Sequence, residues 1–186
     1  MAEHICPWWL GYILASPIRR LLQDPVEIVR PFVKEGMTVL EPGPGMGFFT
    51  VELARLVGPS GRVIAVDIQP SMIAGLKRRL AKRGLVERVD VRVSAPDSLG
   101  LKDLAGKVDF ALAMAVVHEM PTASWFFGQA AEAMKPQGTL LLAEPAGHVK
   151  KGAFQAELDA AVTAGFTVVE RPTVKRSIAA LLKMKS

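Results

Sequence analysis

Cysteine is almost absent. Cys6 stands alone among 186 residues, so no disulfide can form within the chain, and a reducing compartment suits it. Long apolar runs are missing too: none reaches the roughly 18 residues that a bilayer-spanning helix needs. The opening Met1-Ala2-Glu3-His4 has neither the basic start nor the cleavage site of a secretory signal. These absences lead to the expectation of a cytoplasmic protein with no membrane span. Internal repeats and low-complexity linkers are also lacking, which excludes a repeat architecture. Charge imbalance is mild, at +5. The clusters Arg19-Arg20, Lys77-Arg78-Arg79 and Lys82-Arg83 read as solvated helix faces before they read as a nucleic-acid footprint, so nucleic acid is not the expected partner.

What is present is an ordinary globular balance, 50% hydrophobic and 22% charged, in a length that suits one domain with a substantial core. Short β-rich apolar runs alternate with longer helical patterns, which predicts a parallel sheet covered on both faces. Strands are expected at 37–41, 62–67, 89–93, 108–114, 139–143, 166–170 and 178–182; the last would also suit a helix. Helices are expected at 49–57, 71–82, 125–134 and 152–164, with a turn at 135–138. The first 36 residues differ. Pro7, Pro17, Pro25 and Pro31 cut them into pieces, and 18–22 and 26–33 suit short helices. Residues 1–36 therefore read as a helical lid appended to a main domain at 37–186.

Between the first strand and its helix lies Glu41-Pro42-Gly43-Pro44-Gly45-Met46-Gly47. Glycines let the backbone turn sharply and let a ligand come close, and a helix start offers free N–H groups. A dinucleotide loop needs G-x-G-x-x-G, but counting from Gly43 puts Phe48 where the third glycine belongs. An NAD site is thereby disfavoured. The pattern acidic-x-G-x-G-x-G fits at Glu41, Gly43, Gly45 and Gly47.

In this register, residues 39–50 resemble the first motif of class I S-adenosylmethionine (SAM)-dependent methyltransferases. The resemblance runs from residue 37 to the C-terminus and takes in Met134-Lys135-Pro136-Gln137-Gly138-Thr139-Leu140-Leu141-Leu142 and Ala164-Gly165-Phe166. It implies a three-layer, doubly wound, Rossmann-like α/β fold with a seven-stranded sheet of order 3-2-1-4-5-7-6, the last strand antiparallel. It implies SAM as cofactor, with the loop of Gly43, Pro44, Gly45 and Gly47 beneath the methionine part and Glu41 holding its amino group. A carboxylate suits the ammonium and sulfonium charges. Asp67, which ends the second strand, is by the same resemblance the ribose ligand, and Ile68 packs on the adenine. The competing reading of Asp67 is a cap on the next turn. Many members place an acidic residue after the third strand to read the adenine amino group. Here Ala95 occupies that place, and Asp97, two residues on, is the substitute, with backbone carbonyls as the alternative. Met114, closing the fourth strand, completes the expected cofactor set.

Candidates for handling the acceptor lie after the fourth and fifth strands. In Val116-Val117-His118-Glu119, His118 has a pKa suited to general base work; the bland alternative is a local hydrogen bond. In Ala143-Glu144-Pro145-Ala146-Gly147-His148, Glu144 ends a buried strand and needs a partner, as a base or as the mate of an arginine. His148 is a weaker candidate. His118, Glu119, Glu144 and His148 have no zinc-like spacing, so no metal is expected. The segment Ala113-Met114-Ala115-Val116 lacks the polar clamp of DNA amino-methylation. Cytosine C5 methylation needs a nucleophilic cysteine, and Cys6 lies in the N-terminal appendage, far from the expected place; arsenic methylation needs several thiols. What remains is a small, partly apolar methyl acceptor, of the quinone-methylating type. Trp8, Trp9, Tyr12, Trp125 and Phe126 are candidates to line its pocket, with core packing the plainer role. A second hypothesis is a non-catalytic or RNA-associated SAM-fold protein that uses the basic helix at 77–83.

Overall fold

Runs of Val, Ile and Leu become strands, and segments with apolar residues at every third or fourth position become helices. The computed structural model describes residues 23–186; the expected helix at 18–22 and the residues Trp8, Trp9 and Tyr12 lie outside them. The chain divides into two compact units, one ending at Gly100 and one from Leu101 to Ser186.

In the first unit, α1 (Pro25–Val29) starts where the Asp24 carboxylate accepts from the Val26 amide at 2.9 Å and Pro25 fills the first helical position. Then come β1 (Thr38–Pro42), α2 (Thr50–Leu56), β2 (Arg62–Asp67), α3 (Pro70–Ala81) and β3 (Val89–Val93). β1 and β2 pair in parallel from Thr38↔Arg62 to Pro42↔Val66, and β2 and β3 from Val63↔Val89 to Asp67↔Val93. Val39, Leu40, Val63, Ile64 and Ala65 are all buried, as in strands covered on both faces. α2 buries Val51, Leu53 and Ala54, and α3 buries Met72, Ile73, Leu76 and Leu80.

The second unit contains β4 (Val108–Met114), α4 (Ala123–Ala133), β5 (Met134–Pro145), α5 (Lys151–Thr163), β6 (Phe166–Glu170) and β7 (Ser177–Met184). Thr122 caps α4 by accepting from the Trp125 amide at 3.1 Å. Phe126 and Phe127 are fully buried, and Phe127 meets Phe166 edge to face, with ring centres 6.0 Å apart. Phe126 is therefore a core residue, while Trp125 is half-buried. The last segment is a strand, not a helix: it pairs antiparallel with β5 from Thr139↔Lys183 to Pro145↔Ser177, and with β6 on its other side. β6 carries an extra residue, Val169, because Val168 faces Leu182 and Glu170 already faces Leu181.

The turn expected at 135–138 is instead an irregular stretch inside β5. Val108 pairs with Met134 and Phe110 with Thr139, so these residues stand opposite Asp109 alone. Gln137 takes the left-handed conformation (φ 65°), Lys135 Nζ reaches the Asp109 carboxylate at 2.6 Å, and a Cβ on Gly138 would come within 2.8 Å of Met134 Cε. The turn-forming residues are accommodated as a bulge, and the strand continues through them. The seven strands follow the expected order, β3-β2-β1-β4-β5-β7-β6, with β7 antiparallel.

Candidate functional site

In the first unit, the glycine-rich loop leaves β1 at Pro42. Gly43, Gly45 and Gly47 all have positive φ, at 65°, 53° and 83°. The Gly43 amide donates to Val66 O at 2.9 Å and the Gly47 amide to Pro44 O at 3.0 Å. Their tolerance of a side chain differs. A Cβ on Gly47 would lie 2.5 Å from Leu76 Cδ1, whereas one on Gly45 would meet nothing within 4 Å. One glycine thus allows close packing on α3, and the other leaves open room. Pro44 and Met46 are buried, and Met46 lies against Gly75 of α3, which further fixes the loop.

Glu41 is 3% exposed, and its Oε2 has no hydrogen-bond partner. Burial pushes the carboxyl up to about 8; the Thr50 side chain and amide oppose this, and the Asp67 charge reinforces it. Neither the Thr50 hydroxyl nor Glu41 Oε2 completes a hydrogen bond, so the opposition is weak. Asp67 ends β2 nearly buried, and its Oδ1 accepts from the Gln69 amide at 2.9 Å. The capping role is therefore real. Burial also raises the Asp67 carboxyl, against the amides of Gln69, Gly45 and Ile68. Ile68 is 40% exposed beside it. The Ser94 amide donates to Asp67 O at 3.0 Å, which brings the exit of β3 alongside β2. There Ala95 and Ser98 form a tight bridge, with Ala95 and Asp97 exposed on its turn. The basic residues Lys77, Arg78, Lys82 and Arg83 lie on the exposed side of α3 and its end.

In the second unit, half-buried Met114 closes β4, and Ala115 follows in the left-handed region (φ 55°), its amide donating to Ala143 O at 2.7 Å. This bend throws the chain into a 3-10 turn, Val117–Glu119. Glu144, fully buried near the end of β5, accepts from the Val117 amide at 2.8 Å through Oε1 and contacts His118 Nδ1 at 2.5 Å through Oε2. The two candidates picked separately from sequence are one pair, and the mate of Glu144 is a histidine rather than an arginine. With Glu144 ionised, Nδ1 carries the hydrogen and Nε2 keeps its lone pair. The hydrogen bond to Glu144 raises the His118 pKa, burial opposes it, and the charges of Glu144, Glu119 and Glu157 add to the rise. Nε2 lies 3.9 Å from Glu119 Oε1, and the exposed His148 ring stands edge-on to His118 at 5.0 Å.

Glu157 was not singled out in the sequence. It lies on α5 among the buried positions Phe154, Leu158 and Ala161, with Oε2 buried and unpartnered. Burial, then the charge of Glu144, pushes it up to about 7, and His118 opposes this. The available signal was a lone carboxylate at inward spacing in an apolar helical stripe. Among the described residues, no group of three or more His, Cys, Asp or Glu side chains is arranged to hold a metal ion, and no helix is long and apolar enough to cross a membrane.

Residues 33–183 match the family model of the methyltransferase domain. The chain belongs to this family of SAM-dependent methyltransferases. It is 33% identical over 114 residues to the ubiquinone biosynthesis O-methyltransferase of Paramagnetospirillum magneticum, which covers 61% of this chain and 42% of that protein. It is 31% identical over 109 residues to the arsenite methyltransferase of Halobacterium salinarum, covering 59% of this chain and 27% of that one. The chain thus spans less than half the length of these curated relatives. A SAM-dependent methyltransferase from Aquifex aeolicus superposes with a TM-score of 0.85 at 25% identity, over 98% of this chain and 100% of that one.

Proposed function

We propose that this chain transfers the methyl group of SAM to a small, partly apolar acceptor bearing an ionisable heteroatom, of the quinol type, with His118 as the base. The observation that carries this reading is the His118–Glu144 contact at 2.5 Å. It ties down Nδ1 and leaves Nε2 as the atom that can take a proton.

The residues of the glycine loop fit SAM. The space over Gly45 is open, and Glu41 offers a buried carboxylate oxygen with no other partner. In this reading Glu41 receives the ammonium group, and Gly43, Pro44, Gly45 and Gly47 shape the floor. Asp67 holds the ribose with the oxygen not engaged by Gln69, and Ile68 packs on the adenine. Ala95 and Asp97 border the adenine edge, and Met114 closes the set. When bound, the cofactor would supply an electrophilic methyl carbon, with its sulfur as the leaving group that keeps the electron pair. His118 accepts the proton that the acceptor heteroatom must shed as its own bond to carbon forms. Glu144 stabilises the resulting imidazolium, and the short turn at Val117–Glu119 holds the ring in place. The quinol class is supported by the relation to a ubiquinone biosynthesis O-methyltransferase.

Calorimetry with SAM and S-adenosylhomocysteine tests the cofactor, and absence of binding at millimolar ligand would overturn the reading. Labelled methyl transfer from SAM to a series of demethylated quinols tests the acceptor. His118→Gln should lower kcat by about 10²–10⁴-fold with S-adenosylhomocysteine affinity unchanged. Because His118 must be neutral to act and its pKa is raised, the wild-type rate should climb with pH through a midpoint above 6.5. Equal rates for wild type and His118→Gln would remove His118 from the mechanism.

A further inference from the structure

Glu144 has a donor for each oxygen: the Val117 amide and His118 Nδ1. A second buried carboxylate whose charge reaches Glu144 should therefore be costly, yet Glu157 is one, 6% exposed and with Oε2 unpartnered. Packing does not ask for it. Phe154, Leu158 and Ala161 form the rest of the buried stripe of α5, and a leucine or glutamine at 157 would satisfy the stripe without a charge. The charges that act on Glu157 are Glu144 of β5 and His118 of the turn after β4. Glu119 and His148 complete the cluster around the imidazole. Lys150, Lys151 and Asp159 at and within α5 are exposed, as are Glu132 of α4 and Glu170 of β6; Lys183 of β7 is half-buried.

We propose that Glu157 is a positioning residue for the methyl-transfer step: acting through the His118–Glu144 pair, its buried carboxyl governs when His118 is free to accept a proton. The inference rests on the reading of His118 as the base. With Glu157 protonated, no extra negative charge faces the imidazole, and Nε2 stays open near neutral pH. When the acceptor proton arrives on Nε2, the imidazolium favours ionisation of Glu157, whose own proton leaves to water. The new carboxylate then offsets the imidazolium charge. The two states, neutral His118 with protonated Glu157 and charged His118 with ionised Glu157, hold the same number of protons and interconvert as a coupled pair.

The chain has three histidines, so the His118 imidazole can be followed by NMR through a pH titration of the full chain. No acceptor is needed. Glu157→Gln removes the negative charge and should move the His118 midpoint down by about 0.5–1 pH unit. Glu157→Asp keeps a carboxylate and should restore most of the shift. An unchanged midpoint in folded Glu157→Gln overturns the proposal. Should that variant fail to fold, the wild type decides: carbon-13-labelled Glu157 and His118 must show reciprocal, two-step titration curves, and independent single-site curves overturn the proposal. Failure of the parent reading looks different. Coupled titration in an enzyme whose turnover survives His118→Gln removes the base. Uncoupled titration in an enzyme that His118→Gln inactivates removes only the role of Glu157.

Discussion

Glu41 and Glu144 are both buried carboxylates, and they differ in how many donors reach them. Glu144 has one for each oxygen, whereas Glu41 Oε2 has none. The consequence for Glu41 is a linkage between pH and stability. Its folded-state value of about 8 lies above the ordinary 4.5. Between those values the unfolded chain has shed a proton that the folded chain keeps, so stability is lost as pH rises through this window. Glu41→Gln mimics the neutral form. It should raise the unfolding free energy little at pH 5 and clearly at pH 8, by roughly 2 kcal/mol or more. The same change should weaken SAM at least about tenfold, by removing the carboxyl that the arriving ammonium group would ionise and pair with. Thermal melts at the two pH values, paired with calorimetry, check both outcomes; a variant no more stable at pH 8 than wild type would place the cost of Glu41 elsewhere. The acidic register of Glu41 was legible in the sequence. Its isolation was not, because the sequence does not say which donors reach a buried oxygen.

Elements show the same division between pattern and packing. Strands 62–67, 89–93, 108–114 and 166–170 have the bounds that apolar runs and flanking turns predict, since a strand covered on both faces leaves a continuous hydrophobic signature. Residues 135–138 misled because Pro136 and Gly138 look the same in a turn and in a bulge, and only the partner strand distinguishes them. Glu157 escaped notice because an isolated charge in a helix is usually solvated, and its burial depends on what packs over α5. The glycines of the loop share one motif but answer to different elements. Gly47→Ala should destabilise the fold by about 2 kcal/mol or more, since its Cβ meets Leu76 of α3 and its φ is +83°. Gly45→Ala meets no protein atom. It should cost only the left-handed strain of about 1–2 kcal/mol and show its main effect as lost SAM affinity. Denaturant melts and calorimetry on the pair separate the roles; equal loss of affinity at equal stability would refute the distinction.

For the whole molecule, the fold class was legible as alternation, but the strand order was not. Parallel strands buried on both faces look alike in sequence, and seating β7 between β5 and β6 is a long-range pairing that no local pattern encodes; the order came from the resemblance carried by Glu41, the glycines and Asp67. That insertion leaves β6 at the end of the sheet order, with Val168 and Val169 exposed. A regular apolar strand in that position would invite a neighbour's strand to add to it. The extra residue Val169 breaks the repeat of the outer row of amides and carbonyls. A bulge placed there should act against self-association, and it bears on how concentrated a solution the protein tolerates. Deleting Val169 should leave the chain folded but make it assemble more readily, visible by light scattering as particles that grow more steeply with concentration than those of the wild type; a deletion variant with the scattering of wild type would show that the edge needs no such guard.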